Sequence, residues 1–296
     1  MSFTPPKRLI QLQNGGSMSD DHKYTLDGVQ MQASVTERIA QHITGNEFDA
    51  KTQSEGLFSL CRQMEENPAG QWTAKQRAAF ETYKGFNTPE DIAAAWEENR
   101  QRGTQMHKTI ELLLKGVISP RVPEARLKEI DHFKHFYNWF SRDHEVVASE
   151  AIIIMPEIST GGTIDCVWRP IHAEHPNDII IVDWKKMPPT LMQPTKPRVN
   201  FFPLPNCTRT EQEIQLNMYA HMVESMTTYR VVRMMVVYLD PNFDTWDIAD
   251  VPRHAETADY IASLRTACAQ PLVATADNAK PLRGRPTNAF DTKMHK

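Results

Sequence analysis

The stretch Gly162-Thr-Ile-Asp165-Cys-Val-Trp168, followed after a turn by Ile179-Ile-Ile-Val-Asp183-Trp184-Lys185, decides how this chain is read. Each half is a short run rich in β-branched residues that carries one carboxylate, and apolar strands rarely hold charge without a reason. If the two runs pair as a hairpin-like unit, Asp165 and Asp183 converge at one end of a sheet. Two carboxylates at close range repel unless a cation lies between them. Magnesium suits such a place, because it prefers hard oxygen ligands and keeps waters that a phosphate can displace. Lys185 stands two residues beyond Asp183, so in a strand it points to the same face. Two carboxylates for a metal and an ammonium beside them form a set suited to phosphodiester hydrolysis. The metal lowers the pKa of a water and binds a phosphate oxygen, while the ammonium offsets charge building at phosphorus. A bare D-x-K also fits an exposed Asp183–Lys185 pair at a strand end with Asp165 in a turn, so the surrounding sequence has to decide.

Working outward, Val146 to Met155 predicts a third strand, with the clusters STGG and HAEHPND as turns between strands. Upstream, Pro89 to Lys115 reads as a long helix: Pro suits its first turn, Ile92, Trp96, Ile110 and Leu114 recur at helical spacing, and Gly116 stops it. In that helix Gly103, His107 and Glu111 share one stripe, where glycine clears room for a substrate. His107 is a candidate further metal ligand or a structural histidine; Glu111 either orients it or is a solvated helix residue. Glu150 faces the site as an acidic support or lies at a strand edge. A second amphipathic helix follows Pro123, and polar helices are expected at Leu57 to Glu65 and Thr73 to Lys84. Asp27-Gly28 signals a hairpin, and Ser34 with Glu37 a capping box.

Downstream, Met187 to Arg209 reads as a long Pro-rich basic loop. Its Phe201 and Phe202 beside Arg198 and Arg209 either stack bases and track a nucleic-acid backbone, which favours single strands, or pin the loop to the core. Thr210 to Glu213 predicts another capping box, opening a helix with Ile214, Met218, Met222 and Met226 on one face. Gln215 and Tyr219 share a different face, available to a phosphate or base or packed as core. Strands at Tyr229 to Leu239 and Thr245 to Val251 and a helix from Ala255 to Cys268 complete the expected elements.

The 296 residues suffice for one elaborated domain. Three parts are expected: a flexible arm at 1–21, the main domain at 22–270, and a loosely ordered basic tail at 271–296. No apolar run reaches the roughly 18 residues of a spanning helix, and the first residues lack a signal-peptide core, which points to an intracellular protein without a membrane partner. The four cysteines are far apart and make no C-x-x-C pair, so neither a zinc knuckle nor a disulfide framework is signalled. A net charge of -4 argues against binding nucleic acid by bulk electrostatics but permits local basic patches.

Taken in order, R-G-x-x-x-H at Arg102 to His107, Glu150 before its apolar run, G-x-x-D at Gly162 to Asp165, D-W-K at Asp183 to Lys185 and Q-x-x-x-Y at Gln215 to Tyr219 resemble the RecB-like branch of the PD-(D/E)XK nucleases. The segments Tyr24 to Thr36 and Leu204 to Cys207 are similar to members of that branch in phages and large DNA viruses. The resemblance spans roughly His22 to Asp240. It implies an α/β, mixed α+β fold: a central mixed sheet flanked by helices, a restriction-endonuclease-like core with a helical N-terminal elaboration. It further implies magnesium or manganese on Asp165, Asp183, His107 and the carbonyl of Trp184, with Lys185 as the catalytic lysine. Gln215 and Tyr219 would lie along the nucleic-acid path. The implied activity is hydrolysis of DNA from an end, in recombination, repair or genome processing. Two departures matter: the four-cysteine pattern of iron–sulfur relatives is missing, so no cluster is expected, and there is no G-x-x-x-x-G-K-[ST] loop, so a helicase or recombination partner would be a separate protein. A structure-selective endonuclease, a non-catalytic DNA-binding module that keeps the fold, and a metal-dependent RNase are the competing readings.

Overall fold

In the computed structural model of the chain, residues 5–6, 9–13, 15–19, 21–41, 49–117, 127–186, 202, 204 and 207–269 are described. The expected tail, Arg198, Phe201 and most of the Pro-rich loop lie outside them.

The architecture is mixed α/β: a six-stranded sheet with helices on both faces. Its path runs β4 (Ala33–Ser34), β6 (Thr160–Pro170), β7 (Asp178–Lys185), β8 (Arg230–Tyr238) and β9 (Asp247–Asp250), and β5 (His144–Met155) also pairs with β6. β5, β6 and β7 form antiparallel neighbours, as the paired runs predict. β7 and β8 are parallel, which requires a crossover, and α6 (Thr208–Met226) supplies it. Because β7 is covered on both faces, it reads as a continuous apolar run rather than an alternating one. Ile179 and Ile181 face the core under α6, α1 (Val35–Ile39) and α7 (Glu256–Ala269). Ile180, Val182 and Trp184 face the core formed with α4 (Pro89–Leu114) and α5 (Leu127–Phe140). There Phe133 and Phe136 meet the Trp184 ring edge-on, at 5.4 and 5.5 Å between centroids.

Local signals explain most element ends. Asp27 and Gly28 both take positive φ, the requirement of a tight two-residue hairpin, and join β2 (Tyr24–Leu26) to β3 (Val29–Gln30). Ser34 and Glu37 cap α1 reciprocally, and Thr88 with Asp91 does the same for α4. Gly116, at φ 72°, closes α4 by donating to the Leu113 carbonyl. α2 (Ala50–Glu66) and α3 (Ala74–Tyr83) stack on each other, and α2 on α4, as a helical appendage.

Three expectations need correction. The N-terminal arm is not simply loose: Ile10 donates to the Val147 carbonyl, the Gln13 amide brackets Ile154 by bonding both its N–H and its C=O, and β1 (Gly16–Met18) pairs with β2. Those contacts cover the free edge of β5, whose polar backbone would otherwise need water. The STGG cluster is not a turn throughout: of its four residues only Ser159, at φ 48°, belongs to the turn, following the short 3-10 helix Pro156–Ile158, and β6 begins at Thr160. The Thr210–Glu213 capping box does not form. α6 starts earlier, at Thr208 with Cys207 as its cap, while Thr210 is buried and Glu213 pairs with Arg209 and His254.

Candidate metal centre

The antiparallel register of β6 and β7 pairs Cys166 with Val182, and continuing it sets Asp165 opposite Asp183. Pairing stops one step short of the two acids. There Asp165 Oδ2 accepts a 2.8 Å hydrogen bond from the backbone N–H of Trp184, so a side chain replaces the next rung of the ladder. An extended residue projects its N–H and C=O to the same edge. The Trp184 carbonyl therefore faces the same gap, while that of Lys185 faces β8 and accepts from Leu239. The opposite strand is irregular at the same level. Glu150, across from Asp165, has φ 49° in the middle of β5, a left-handed conformation that is uncommon for any residue but glycine and concentrates at functional sites. Ala148 and Ala151 both lie in the α6-side core, and so do Ile164 and Val167; strict alternation would put each pair on opposite faces. The break in alternation turns Glu150 and Asp165 out of the apolar layers.

Opposite this break, α4 presents His107. Its Nδ1 lies 3.4 Å from Asp165 Oδ2, and ligand atoms of His107, Glu150 and Asp165 all fall within 4.8 Å of one another. Asp183 does not join that grouping. It stands beside it, 4 % exposed, with Oδ2 2.7 Å from Lys185 Nζ. Apart from that ion pair, Asp183 Oδ2 makes no hydrogen bond to any other described residue. Lys185 and Asp183 share a face, as their spacing predicts.

The charges are mutually adjusted. Burial alone would lower the pKa of His107, but the neighbouring Asp165 carboxylate raises it to about 9. Burial and the Asp165 charge push Glu150 up to about 8. Burial opposes ionisation of Asp165, yet His107, Lys185 and the Trp184 N–H hold its pKa below the ordinary value. Asp183 goes the other way: burial raises it, and Asp165 adds to that against Lys185. Lys185 is raised, since Asp183 and Asp165 outweigh its burial. Three carboxylates, one of them paired with Lys185, and an imidazole grouped with the other two match a hard divalent cation by donor chemistry.

The other expected residues fare unevenly. Glu111 is buried, but its two oxygens are held by Lys108, at 2.7 Å, and Lys115, so it does not orient His107. Gly103 does border open space. Tyr219 is 4 % exposed; its ring covers Gly162, and its hydroxyl accepts from the half-buried Gln215 at 3.2 Å, which makes it a packing residue rather than a base-stacking one. Arg209 spends its guanidinium on Glu213, Tyr238 and the Asp250 carbonyl instead of a phosphate. Phe202 is buried against Tyr260, an anchor of the loop. Sequence reasoning missed Tyr24 and Thr163, whose hydroxyls lie 3.1 Å apart next to the site. The adjacent Gly161-Gly162 was the available signal for the first of these, as a place where side chains approach a bare backbone.

No protein-family model matches this chain, and no curated protein matches it either.

Proposed function

We propose that this protein is a divalent-cation-dependent nuclease that hydrolyses DNA phosphodiester bonds. The observation that carries the reading is the meeting of His107, Glu150 and Asp165 within 4.8 Å of one another at the open end of the β6–β7 pair. Lys185 and Asp183 stand beside them. His107, Glu150 and Asp165 would hold magnesium or manganese, with Asp183 and the Trp184 carbonyl facing the same space. A cation bound there would offset the carboxylate charges and draw a phosphate oxygen toward itself.

The chain's own groups supply the rest. The Trp184 amide holds Asp165 in place, and Asp165 in turn orients the His107 ring. Lys185 offers a preorganised ammonium where negative charge grows on the phosphoryl oxygens as a water oxygen bonds to phosphorus and the ester oxygen leaves. Asp183 keeps that ammonium charged and aimed. Action from a DNA end, in recombination, repair or genome processing inside a cell, rests on the resemblance of the five ordered motifs; a separate helicase or recombination protein would be the partner. The single-strand preference loses its one described aromatic, because Phe202 is in the core. No helix among the described residues is long and apolar enough to cross a membrane.

The test is cleavage of end-labelled linear single- and double-stranded DNA and of closed circles, with magnesium, manganese or EDTA, using wild type, Asp183→Ala and Lys185→Ala. Metal-dependent loss of linear DNA alone, abolished by both substitutions, supports an exonuclease. Cleaved circles make it an endonuclease, and bound but intact DNA under every metal condition sinks the catalytic reading.

A further inference from the structure

Tyr24 has no part in the chemistry proposed above, yet it packs directly against the strand that carries Asp165. It is 6 % exposed, on β2 of the small N-terminal sheet. A Cβ placed on Gly161 would overlap Cβ and Cγ of Tyr24, so the ring can lie on the strand only because that residue is glycine. The Tyr24 hydroxyl is 3.1 Å from Thr163 Oγ1, and Thr163 Oγ1 is 3.4 Å from the sulfur of Met18 on β1. On the following residue, Gly162, the corresponding space is filled by Tyr219 from α6. Residues 161–163 therefore lie between two tyrosine rings from distant parts of the sequence, just ahead of Asp165 and of Cys166, where β6 begins to pair with β7.

At that level β6 has given up its β7 rung, and its β5 partner is in a left-handed conformation. The backbone ladder that normally fixes a strand is weakest where Asp165 must be placed most accurately, since a constellation of this kind must be held within about 0.5 Å. We infer that Tyr24 is a positioning residue for Asp165. Through its bond to Thr163 and its packing on Gly161, the N-terminal hairpin sets the path of β6 into the metal site. The hairpin is then part of the working site rather than an appendage. Its consequence for turnover rests on the nuclease reading; its consequence for the strand does not.

The experiment compares wild type with Tyr24→Phe, which keeps the ring on Gly161 and removes the hydroxyl, Thr163→Val, and the double variant. Manganese binding by calorimetry, kcat and KM on linear DNA, melting temperature, and hydrogen exchange of the amides of residues 162–166 are measured. Each single variant is expected to weaken manganese binding and lower kcat by about tenfold, the scale on which groups that orient metal ligands act. KM should stay within about twofold, and the melting temperature within about 4 °C, the effect of one lost hydrogen bond. The double variant should match Thr163→Val, because that substitution already removes the Tyr24 bond together with the Thr163–Met18 contact, and residues 162–166 should exchange faster. Unchanged metal affinity and exchange in Tyr24→Phe, or strictly additive effects in the double variant, overturn the inference. If wild type leaves DNA intact while Tyr24→Phe still weakens manganese binding and speeds exchange, the nuclease reading falls and the role of Tyr24 stands. If wild type binds no manganese, exchange alone decides.

Discussion

Helices α2 and α3 and strands β6 and β7 are equally recognisable as regular elements, yet they are held in place by opposite means. In α2 only Ser54, Cys61 and Met64 are buried, and in α3 no residue is. In β7 every residue but Lys185 is buried. The helices rely on neighbours in sequence: Asp49 caps α2, Thr73 and Gln76 cap α3 reciprocally, and Arg62–Glu65 and Lys84–Glu81 pair one turn apart at 2.6 Å. The strands rely on partners scattered over the chain, from Phe133 to Met235. The candidate metal cluster sits in the second region because a group of buried charges needs rigid, distant scaffolding to hold it together.

The largest expected effect tests that division directly. Asp165→Ala and Asp183→Ala should each lower single-turnover cleavage by about 10³-fold or more, on the scale of lost groups that act as a unit. Glu81→Ala and Arg62→Ala in the appendage should leave the rate unchanged; a comparable fall from either would erase the distinction between scaffold and site. Next comes stability. Trp184→Ala removes a fully buried ring and should cost about 3–5 kcal/mol in urea unfolding, whereas Leu57→Ala on the half-buried side of α2 should cost about 1 kcal/mol. Near-equal losses would mean that the appendage is as firmly built as the sheet.

A pH dependence of smaller size should come from the site. His107 holds its proton more tightly when folded, up to about 9 against an ordinary 6.5, so its contribution is complete below 6.5 and lost as pH rises through 9. Glu150, raised from 4.5 to about 8, has the same sign: the folded state binds more protons between those values, and stability falls as pH rises across them. Without metal, the melting temperature should therefore drop between pH 6.5 and 9. The slope should flatten in His107→Gln and in Glu150→Gln, and manganese should lift the curve most at its alkaline end. A slope that survives both substitutions would place its source elsewhere. The smallest effect belongs to the appendage: Thr73→Ala should cost about 1 kcal/mol through its lost cap. Removing the exposed Lys84–Glu81 pair should cost about 0.3–0.5 kcal/mol. Circular dichroism of α3-local melting reads both.

Much of the fold was legible in residues 127–268, because the pattern that specifies each element there also specifies what it buries. The β-branched run from Ile179 marked β7 as a strand, and Ile214, Met218 and Met222 marked the inner side of α6. Asp183 and Lys185 were legible as a pair for the same reason, since two residues on a strand share a face whatever surrounds it. The N-terminal arm was not legible. Gln13 and Tyr24 are unremarkable by composition and gain their roles only from Ile154 and Gly161, more than a hundred residues away.

What the sequence alone determined is most of the elements beyond the N-terminal arm, the meeting of β6 with β7 and the identity of the charged residues at their ends, because helix caps, apolar periods and strand spacing act over a few residues. Tertiary structure decided which of those charges belong together. Glu150 entered the ligand cluster, and Asp183 stayed beside it. Glu111, Arg209 and Tyr219 were claimed by neighbours in the fold. The physical reason is that a left-handed turn at Glu150 and a missing rung at Asp165 aim side chains by breaking the strand period, and the contacts that make such a break tolerable come from α4, α6 and the N-terminal hairpin together.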